Sequence, residues 1–310
     1  MVALWVLHDG KAGMASQSLG LAEATGFAFV EKVLDIGPPW AWLPPRLWPA
    51  PLAAAKLAPP WPDLVIACGR NAAAPALAIR RASGGKCRAV QIQDPRIGRG
   101  EFDLMVVPAH DRLRGERVEV SLGAIHRVTA EKLAAERARF PRFETLPHPV
   151  VTVLIGGSNR AYRLDPARIG TIADSIAGAV RDAGGSVLAT ASRRTGPQGL
   201  ALLRARFGRL PGEVWDNTGD NPYYAYLAYA DHLLVTADSV SMVSEAAATG
   251  KPVQVIGIDG GDGKFARFHA AMREAGITRP FAGALESWSY SPPDDTARAG
   301  AAVRALVLGP

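Results

Sequence analysis

The chain has 310 residues and a net charge of +6, and 48% of its residues are hydrophobic against 21% charged. This length allows two domains of ordinary size, and the composition is that of a globular protein with a substantial core. The positive charge favours anionic partners such as phosphates and nucleotides. The basic residues are scattered, however, and form no tail, which argues against a nucleic-acid partner.

The sequence also limits the compartment. No apolar run approaches the roughly 18 to 20 residues that span a bilayer, and the amino terminus lacks the pattern of a secretory signal. The two cysteines, Cys68 and Cys87, suit neither a disulfide framework nor a common zinc site. We therefore predict a protein of a reducing compartment, the cytoplasm.

The first half of the sequence alternates short β-rich runs with stretches rich in alanine and leucine. Apolar strands that alternate with helices are typical of a mainly parallel sheet covered on both faces. The predicted strands are residues 3–7, 27–34, 64–68, 89–93 and 104–107, and the predicted helices are 16–25 and 71–82.

The pattern pauses at a polar helix, residues 129–139, and at a segment with three prolines, 141–149. Because linkers are often polar and rich in proline, we predict two domains, 1–145 and 146–310. The alternation then returns, with strands at 150–155, 186–190, 213–215, 232–236 and 253–256 and helices at 166–182, 199–207, 222–229 and 240–248. We therefore predict an α/β protein of two Rossmann-like domains facing across a cleft, with the last helix packing back on the first domain.

Ligands of such sheets bind beyond the carboxyl ends of the strands, so the loops at those ends are the first candidates for a site. The loop after the first strand reads His8-Asp9-Gly10-Lys11-Ala12-Gly13. Its glycines allow a close backbone approach, and Asp9 or His8 could act as a general base on a hydroxyl, with Lys11 as a nearby cation. The structural alternative is a capped turn with a solvated lysine.

Polar residues also follow the next two strands that are predicted to be buried, at Gly69-Arg70-Asn71 and at Gln93-Asp94-Pro95. Both loops are expected at the same edge of the sheet, where their side chains could bind a sugar or another acceptor. A helix cap at Asn71 and a turn at Asp94 explain the same residues without any ligand.

Two loops of the second half are suited to an anion. Gly156-Gly157-Ser158 follows a strand, and its amides could cradle a phosphate, although the spacing matches neither a P-loop nor a dinucleotide-binding motif. Arg193, Arg194 and Thr195 follow another strand, where two guanidinium groups could clamp a diphosphate. A solvated basic turn is the alternative for this second loop.

The most informative stretch is residues 235–246, which read VTADSVSMVSEA. Asp238 or Ser239 can cap a helix whose first amides remain free for a phosphate. Met242 and Glu245 lie three residues apart on one helix face, so the carboxylate could bind the hydroxyls of a ribose. The alternative is a capping box, which is a purely structural motif.

Residues 235–246, followed by Gly250-Lys251-Pro252-Val253, resemble the donor-site helix of GT-B glycosyltransferases. The chain more closely resembles the mitochondrial fission protein (elongated mitochondria) family of plants and its bacterial relatives, which are grouped with the GT-B glycosyltransferases. This similarity runs over essentially the whole chain and includes segments 9–13 with Gln17, 91–95, 156–158 and 265–269.

The resemblance implies a metal-independent enzyme that moves a sugar from a nucleotide-diphosphate donor to a hydroxyl of a glycan or lipid-linked acceptor. It implies no metal ion and no cofactor apart from the nucleotide-sugar substrate. The implied catalytic residues are Asp9 first, then His8 and Lys11. The candidate donor-binding residues of the second domain are Gly156, Gly157, Ser158, Arg193, Arg194, Thr195, Asn221, Asp238, Ser239, Met242 and Glu245. The candidate acceptor-binding residues of the first domain are Gly10, Gly13, Gln17, Gly69, Arg70, Gln93 and Asp94.

Two other functions fit the same fold. One is a non-catalytic scaffold that binds protein partners, as a connection with organelle division would suggest. The other is a nucleotide-sugar epimerase, which needs a donor site but no separate acceptor. Residues 257–263 contain Asp259 and Asp262, and we interpret them as a flexible loop at the cleft rather than as an ion site.

Residues 37–62 combine many prolines with Trp40, Trp42, Trp48 and Trp61 and with two basic residues. Tryptophan beside basic side chains suits the boundary between lipid and water, so this segment could make a peripheral contact at the inner face of the membrane. The alternative is a proline-stiffened loop whose tryptophans pack on the first domain. Proline excludes a regular amphipathic helix through most of the segment.

Overall fold

A computed structural model describes residues 2–38 and 40–309. The chain divides into two compact units, one that runs up to Arg127 and resumes at Asp294, and a second formed by Val128–Pro293. No helix among the described residues is both long enough and apolar enough to cross a bilayer.

Unit 1 is built on a six-stranded parallel sheet with the order β2-β1-β3-β4-β5-β6. Buried aliphatic side chains on the two faces of the sheet form its core, as expected for a parallel sheet covered on both sides. Its elements are β1 (Leu4–His8), α1 (Ala12–Thr25), β2 (Phe29–Val33), α2 (Pro51–Ala54), β3 (Leu64–Cys68), α3 (Arg70–Ala82), β4 (Arg88–Ile92), β5 (Leu104–Pro108) and β6 (Val118–Ser121).

Unit 2 has a second six-stranded parallel sheet with the order β10-β9-β7-β11-β12-β14. Its helices are α4 (Ala130–Arg139), α5 (Pro166–Asp182), α6 (Gly196–Phe207), α7 (Tyr223–Tyr229), α8 (Val240–Ala247) and α9 (Gly263–Glu274). Its strands are β7 (Val150–Ile155), β8 (Tyr162–Arg163), β9 (Ser186–Ala191), β10 (Gly212–Val214), β11 (His232–Thr236), β12 (Val253–Ile256), β13 (Asp259–Gly260) and β14 (Thr278–Pro280).

The unit boundaries differ from the predicted division at 145/146. Helix α4 belongs to unit 2, where the Tyr229 hydroxyl donates to the Arg137 carbonyl at 3.0 Å. Phe143 lies between α4 and β7, and its ring packs at 5.5 Å from Tyr226 and 5.7 Å from Tyr229, measured between centroids. The prolines that suggested a linker therefore lie inside unit 2, just before its first strand.

The last helix, α10 (Asp295–Leu308), packs on α1 within unit 1. Ala299 and Val303 are fully buried there, and Gly300 allows the close approach because a Cβ would lie 2.7 Å from Ala24. The Asp295 carboxylate accepts the backbone N–H of Leu122 at 2.7 Å, which fixes the start of the helix.

Residues 257–263 are more ordered than the flexible loop that we predicted. Strands β13 and β8 pair antiparallel, and Gly260 lies at a φ of +101° that few other residues adopt. Asp262 then caps α9 by accepting the N–H of Lys264 at 2.9 Å and that of Phe265 at 3.1 Å.

Lys251 closes the carboxyl end of α7 in unit 2. Its Nζ donates to the Ala228 carbonyl at 2.7 Å and to the Leu227 carbonyl at 3.2 Å, two of the groups that a helix end leaves without partners. Burial lowers the pKa of Lys251 to about 8 from 10.5. The folded lysine therefore loses its proton near pH 8, whereas the unfolded lysine keeps it until about pH 10.5.

We expect wild type to gain stability relative to Lys251→Met by about 1 to 3 kcal/mol as pH rises from 8 to 10.5. In this interval the unfolded state binds more protons at this site, so the free energy of unfolding increases with pH. The variant has no such group and lacks this increase. Urea unfolding of both proteins at several pH values measures the difference, and a difference that stays constant with pH would contradict the assignment.

Candidate functional site

The strand order of unit 2 reverses between β7 and β11. When only the six strands of this sheet are numbered along the chain, their order is 3-2-1-4-5-6. A sheet of this order binds ligands outside the carboxyl ends of its strands at the reversal. The loop after β7 begins with Gly156, and the loop after β11 contains Asp238. The sheet therefore brings two of the predicted donor loops to its switch point.

Asp238 joins three loops at this point, and its side chain is fully buried. Its Oδ2 accepts the N–H of Gly157 at 3.0 Å and Nη2 of Arg194 at 2.8 Å. Its Oδ1 accepts the Thr236 hydroxyl at 2.7 Å, and the oxygen of that hydroxyl accepts the N–H of Gly156 at 2.8 Å. One carboxylate thus holds the ends of β7, β9 and β11 together, which we call the Asp238 network.

The two glycines of the network have a structural role. A Cβ on Gly156 would lie 2.2 Å from both carboxylate oxygens of Asp238, and a Cβ on Gly157 would lie 2.5 Å from the backbone of Arg194. Their N–H groups are already taken by Thr236 and Asp238. Contrary to our expectation, these amides are not available to a phosphate, because the Thr236 hydroxyl accepts one and the Asp238 carboxylate accepts the other.

Arg193 and Arg194, in the loop after β9, differ in their hydrogen bonds. Nη1 of Arg194 donates to the Gly157 carbonyl at 2.5 Å, so this residue supports the network rather than clamping a ligand. The Thr195 hydroxyl donates to the Gly156 carbonyl at 2.5 Å and is also engaged. The Arg193 side chain is exposed and forms no hydrogen bond or ion pair with any residue that the structure describes. Arg193 is therefore the cation that an anionic ligand could use.

Helix α8 begins at the same edge of the sheet. Ser239 caps it by accepting the N–H of Met242 at 3.3 Å, which resolves the choice between Asp238 and Ser239 as the cap. Within the described chain, the N–H groups of Val240 and Ser241 have no acceptor, as is usual in a first turn. These two amides carry the positive end of the helix dipole and suit a phosphate.

Glu245 lies one turn further along α8, and its carboxylate is buried. It accepts the hydroxyl of Tyr223 at 2.5 Å. Because Ser239 is the N-cap, the third helical position is Met242 rather than Glu245, so the capping-box alternative is wrong. Burial, together with the charge of Glu245, raises the pKa of Tyr223 well above its ordinary value, which keeps this hydroxyl a donor. The Asn221 side chain accepts the Tyr223 N–H at 3.0 Å and shapes the start of α7.

Ser158 and Met242 are two further residues that were predicted to bind the donor. The Ser158 hydroxyl donates to the Leu164 carbonyl at 3.2 Å and accepts the Leu164 N–H at 2.9 Å, which closes the loop between β7 and α5. The side chain of Met242 is half-buried on α8.

In unit 1 the strand order reverses between β1 and β3, which places the loops after His8 and Cys68 at that switch point. Nδ1 of His8 accepts the N–H of Gly10 at 3.1 Å, so Nε2 carries the proton and donates to Glu31 at 2.8 Å. Both nitrogens of this buried ring are occupied. His8 therefore positions the loop and has no free nitrogen for a base, which corrects its place among the catalytic candidates.

Asp9 is the carboxylate of this loop. Its Oδ2 forms an ion pair with Nζ of Lys11, and its Oδ1 receives only a long contact from the Lys11 N–H at 3.4 Å. The Asp9 side chain is 16% exposed. Burial, followed by the charge of Asp9, raises the pKa of the Cys68 thiol, so that thiol stays protonated.

Three of the predicted acceptor residues of unit 1 lie together, and Gly69 has a separate role. Nε2 of Gln93 donates to Gln17 at 3.2 Å, and Nε2 of Gln17 donates to the Gly13 carbonyl at 3.0 Å, so these three residues come together. Gly69 lies at a φ of +80° beside Met14 and is the N-cap residue of α3.

Asp94 and Arg70 have contrasting environments. Arg99 donates twice to Asp94, at 2.6 and 2.9 Å. Burial raises the pKa of this carboxyl, but the hydrogen bonds from Arg99 and Arg96 outweigh it, so the pKa lies below its usual value. Arg70 is exposed and forms no ion pair within the described residues.

Comparison with known proteins places the chain in a family. The family model described as mitochondrial fission ELM1 matches residues 12–307. The chain belongs to the mitochondrial fission ELM1 family. It is 36% identical over 273 residues to the mitochondrial fission protein ELM1 of Arabidopsis thaliana, which covers 78% of this chain. The match spans 63% of the Arabidopsis protein, which is less than two thirds of its length.

Solved structures show the fold of this ELM1-family chain. UDP-GlcNAc 2-epimerase from Methanocaldococcus jannaschii aligns with this chain at a TM-score of 0.58 and 12% identity, and the alignment covers 99% of both chains. The complex of that enzyme with UDP-GlcNAc and UDP aligns at a TM-score of 0.54 and 9% identity, again over 99% of both chains. The glycosyltransferase SnogD from Streptomyces nogalater gives a TM-score of 0.54 at 18% identity over 99% of this chain and 95% of its own. At these identities the likeness shows the fold alone, and it confirms the predicted GT-B class.

Sequence reasoning missed two side chains of the ELM1-family chain that hold the predicted donor loops. Thr236 ends β11 and bridges Gly156 to Asp238, a role that its position in an apolar strand does not reveal. His269 of α9 is buried, and its Nε2 donates to the Ala237 carbonyl at 2.8 Å. The one signal for His269 in the sequence is the family resemblance of segment 265–269.

Proposed function

We propose that the chain is a glycosyltransferase that moves a sugar from a nucleotide-diphosphate donor to a hydroxyl acceptor, a glycan or a lipid-linked molecule. The observation that carries the proposal is the Asp238 network at the switch point of unit 2. It uses a buried carboxylate to fix three loops, and it leaves Arg193 and the first amides of α8 unengaged among the described residues. Such groups recognise a diphosphate.

The donor would bind unit 2 through its phosphates and its ribose. Arg193 and the amides of Val240 and Ser241 would balance the charge that grows on the departing diphosphate. The Glu245 carboxylate, held by Tyr223, would accept hydrogen bonds from the ribose hydroxyls. No metal ion is required for this charge balance, and we retain the prediction of a metal-independent reaction.

The acceptor would bind unit 1, with Asp9 as the base. Oδ1 of Asp9 takes the proton of the acceptor hydroxyl while the oxygen of that hydroxyl bonds to the anomeric carbon of the sugar. The bond between that carbon and the diphosphate oxygen breaks, and the electron pair leaves with the diphosphate. Lys11 holds the second oxygen of Asp9, and His8 fixes the loop through Gly10.

Two observations favour other functions. The fold is shared with UDP-GlcNAc 2-epimerases, which supports an epimerase of nucleotide sugars. The Arabidopsis relative is named for mitochondrial fission, which supports a scaffold that binds a protein partner. An epimerase would change the sugar without consuming an acceptor, and a scaffold would not require a nucleotide.

A thermal-shift screen against nucleotide sugars, followed by product analysis, separates the three functions. We expect stabilisation by one nucleotide family and release of free nucleoside diphosphate only when an acceptor is present. A new isomer of the nucleotide sugar without any acceptor would indicate an epimerase. Absence of both binding and turnover across the screen would leave the scaffold and refute the transferase.

Glu245→Gln should weaken binding of the nucleoside diphosphate about ten-fold or more and leave binding of inorganic pyrophosphate unchanged. The reason is that a neutral amide forms weaker hydrogen bonds to ribose than a carboxylate does, whereas pyrophosphate has no ribose. Calorimetric titration measures both affinities, and Glu274→Gln, on the exposed end of α9, is the control. Equal losses for the two ligands would contradict a ribose contact.

A further inference from the structure

Three exposed apolar residues lie between β2 and α2 in unit 1, and we call them the apolar tip. They are Trp42, Leu43 and Leu47, which are 78%, 39% and 56% exposed. The exposed ring of Trp42 lacks the favourable apolar contacts that a buried tryptophan makes. Three large, exposed apolar side chains within six residues indicate a surface for interaction with a protein or a membrane.

The base of the tip is anchored. Trp48 is buried, and its indole N–H donates to the Leu43 carbonyl at 3.1 Å. Its ring packs edge-on against Trp40 at 6.5 Å between centroids. Trp61 packs against Trp5 of β1 at 6.2 Å in the same manner. Most of the tryptophans in residues 37–62 thus pack on the unit, as the second interpretation of the sequence expected, and Trp42 is held outside.

The composition of the segment that carries the tip favours one kind of partner. Residues 36–62 contain no Asp, Glu, Ser, Thr, Asn, Gln or His, and their charged side chains are Arg46 and Lys56. Both cations are exposed and form no ion pair with any residue in the described part of the chain. Protein interfaces contain about one hydrogen bond per 100 to 200 Å², which side chains of this composition can hardly supply. Apolar and cationic groups without acceptors match an anionic lipid surface.

We propose that the apolar tip inserts into the interfacial region of an anionic bilayer. Trp42, Leu43 and Leu47 lie among the acyl chains and headgroups, and Arg46 and Lys56 contact lipid phosphates. Tryptophan is suited to this depth because its ring is apolar while its N–H can reach water or headgroups. The contact is peripheral and independent of any nucleotide, so it can hold or fail apart from the proposed sugar transfer.

Flotation of the full chain with vesicles tests the proposal. We expect the chain to float with phosphatidylcholine vesicles that contain phosphatidylglycerol and much less with phosphatidylcholine alone. Trp42→Ala combined with Leu47→Ala should lower the partition coefficient about ten-fold or more, because each side chain loses its apolar burial. Leu308→Ala, at a position 59% exposed on α10, is the matched control and should leave the partition unchanged.

Quenching by brominated phosphatidylcholine in the anionic vesicles identifies the inserted residue among the seven tryptophans. Wild type should be quenched, and Trp42→Phe should lose most of that quenching. Absence of flotation, equal flotation with neutral and anionic vesicles, or quenching unaffected by Trp42→Phe would each overturn the proposal. A dimer in solution that Trp42→Ala converts to a monomer, without lipid binding by wild type, would instead assign the tip to a second copy of this chain.

Discussion

Asp238→Asn should lower the free energy of unfolding by about 2 to 4 kcal/mol. This is less than the roughly 3 to 5 kcal/mol for removing one partner of a fully buried ion pair, because the Arg194 side chain is 41% exposed. Three donors converge on the two oxygens of this carboxylate: the Gly157 N–H, the Thr236 hydroxyl and the Arg194 guanidinium. An asparagine offers only one acceptor oxygen, so it either turns an NH₂ group towards the Gly157 N–H and Arg194 or removes the acceptor of the Thr236 hydroxyl. Either arrangement leaves a donor unsatisfied at a side chain with no exposed surface. Urea unfolding of wild type and variant measures the loss.

Asp174→Asn is the matched control for this prediction. Asp174 pairs with Arg206 at 2.6 Å, but its side chain is 59% exposed, so we expect a loss below about 0.5 kcal/mol. Thr236→Val removes one donor from the network and should cost an intermediate amount, about 1 to 3 kcal/mol. Equal stability of Asp238→Asn and Asp174→Asn would show that Asp238 does not hold the loops.

Gly156→Ala should destabilise the protein by about 3 kcal/mol or more and abolish nucleotide binding. The new Cβ would lie 2.2 Å from both oxygens of Asp238, so either the strand end or the carboxylate must move. Overpacking at a rigid site typically costs about 1 to 3 kcal/mol, and here the displaced atoms also lose their hydrogen bonds. Thermal unfolding and a nucleotide titration on the same preparation measure both effects.

Gly178→Ala, within α5, is the control because a Cβ there would meet nothing within 4 Å. Alanine has the higher helix propensity, so this variant should be as stable as wild type or more stable by up to about 1 kcal/mol. A Gly156→Ala protein that unfolds and binds like wild type would mean that the loop after β7 is not tightly packed on Asp238.

The buried strands could be predicted closely from the sequence. Residues 64–68 and 150–155 are short, uninterrupted apolar runs with turn residues on either side, and the structure has β3 and β7 at those bounds. The strand Val118–Ser121 is not predicted because it is short, only partly buried and flanked by charged residues. The predicted domain boundary lies too late in the chain because the prolines of 141–149 resemble a linker, although they immediately precede β7.

The candidate site is predictable in position but not in the role of each residue. Strand ends and glycine-rich loops in the sequence point to Gly156, Arg193 and Ser239. The sequence does not show that the Asp238 carboxylate accepts hydrogen bonds from Arg194 and from the Gly157 N–H, because these residues lie 44 and 81 positions away along the chain. Only the strand order of unit 2 brings such distant loops together.

The same limit applies to His8 and Asp9. Adjacent titratable residues at a strand end look equivalent as bases in a sequence. The structure separates them, because Gly10 and Glu31 occupy both nitrogens of His8, while Oδ1 of Asp9 keeps only one long contact. Burial and hydrogen-bond partners, rather than residue type, decide which group can accept a proton.

Calorimetric titration of UDP, GDP and ADP tests most directly whether unit 2 binds a nucleoside diphosphate through Arg193. The variants to compare with wild type are Arg193→Ala and Arg206→Ala, the latter about 15 Å along α6 from the loop. We predict that at least one nucleotide binds wild type and Arg206→Ala alike and binds Arg193→Ala about ten-fold or more weakly. Absence of binding by all three nucleotides, or equal affinity in the three proteins, would contradict this mode of binding.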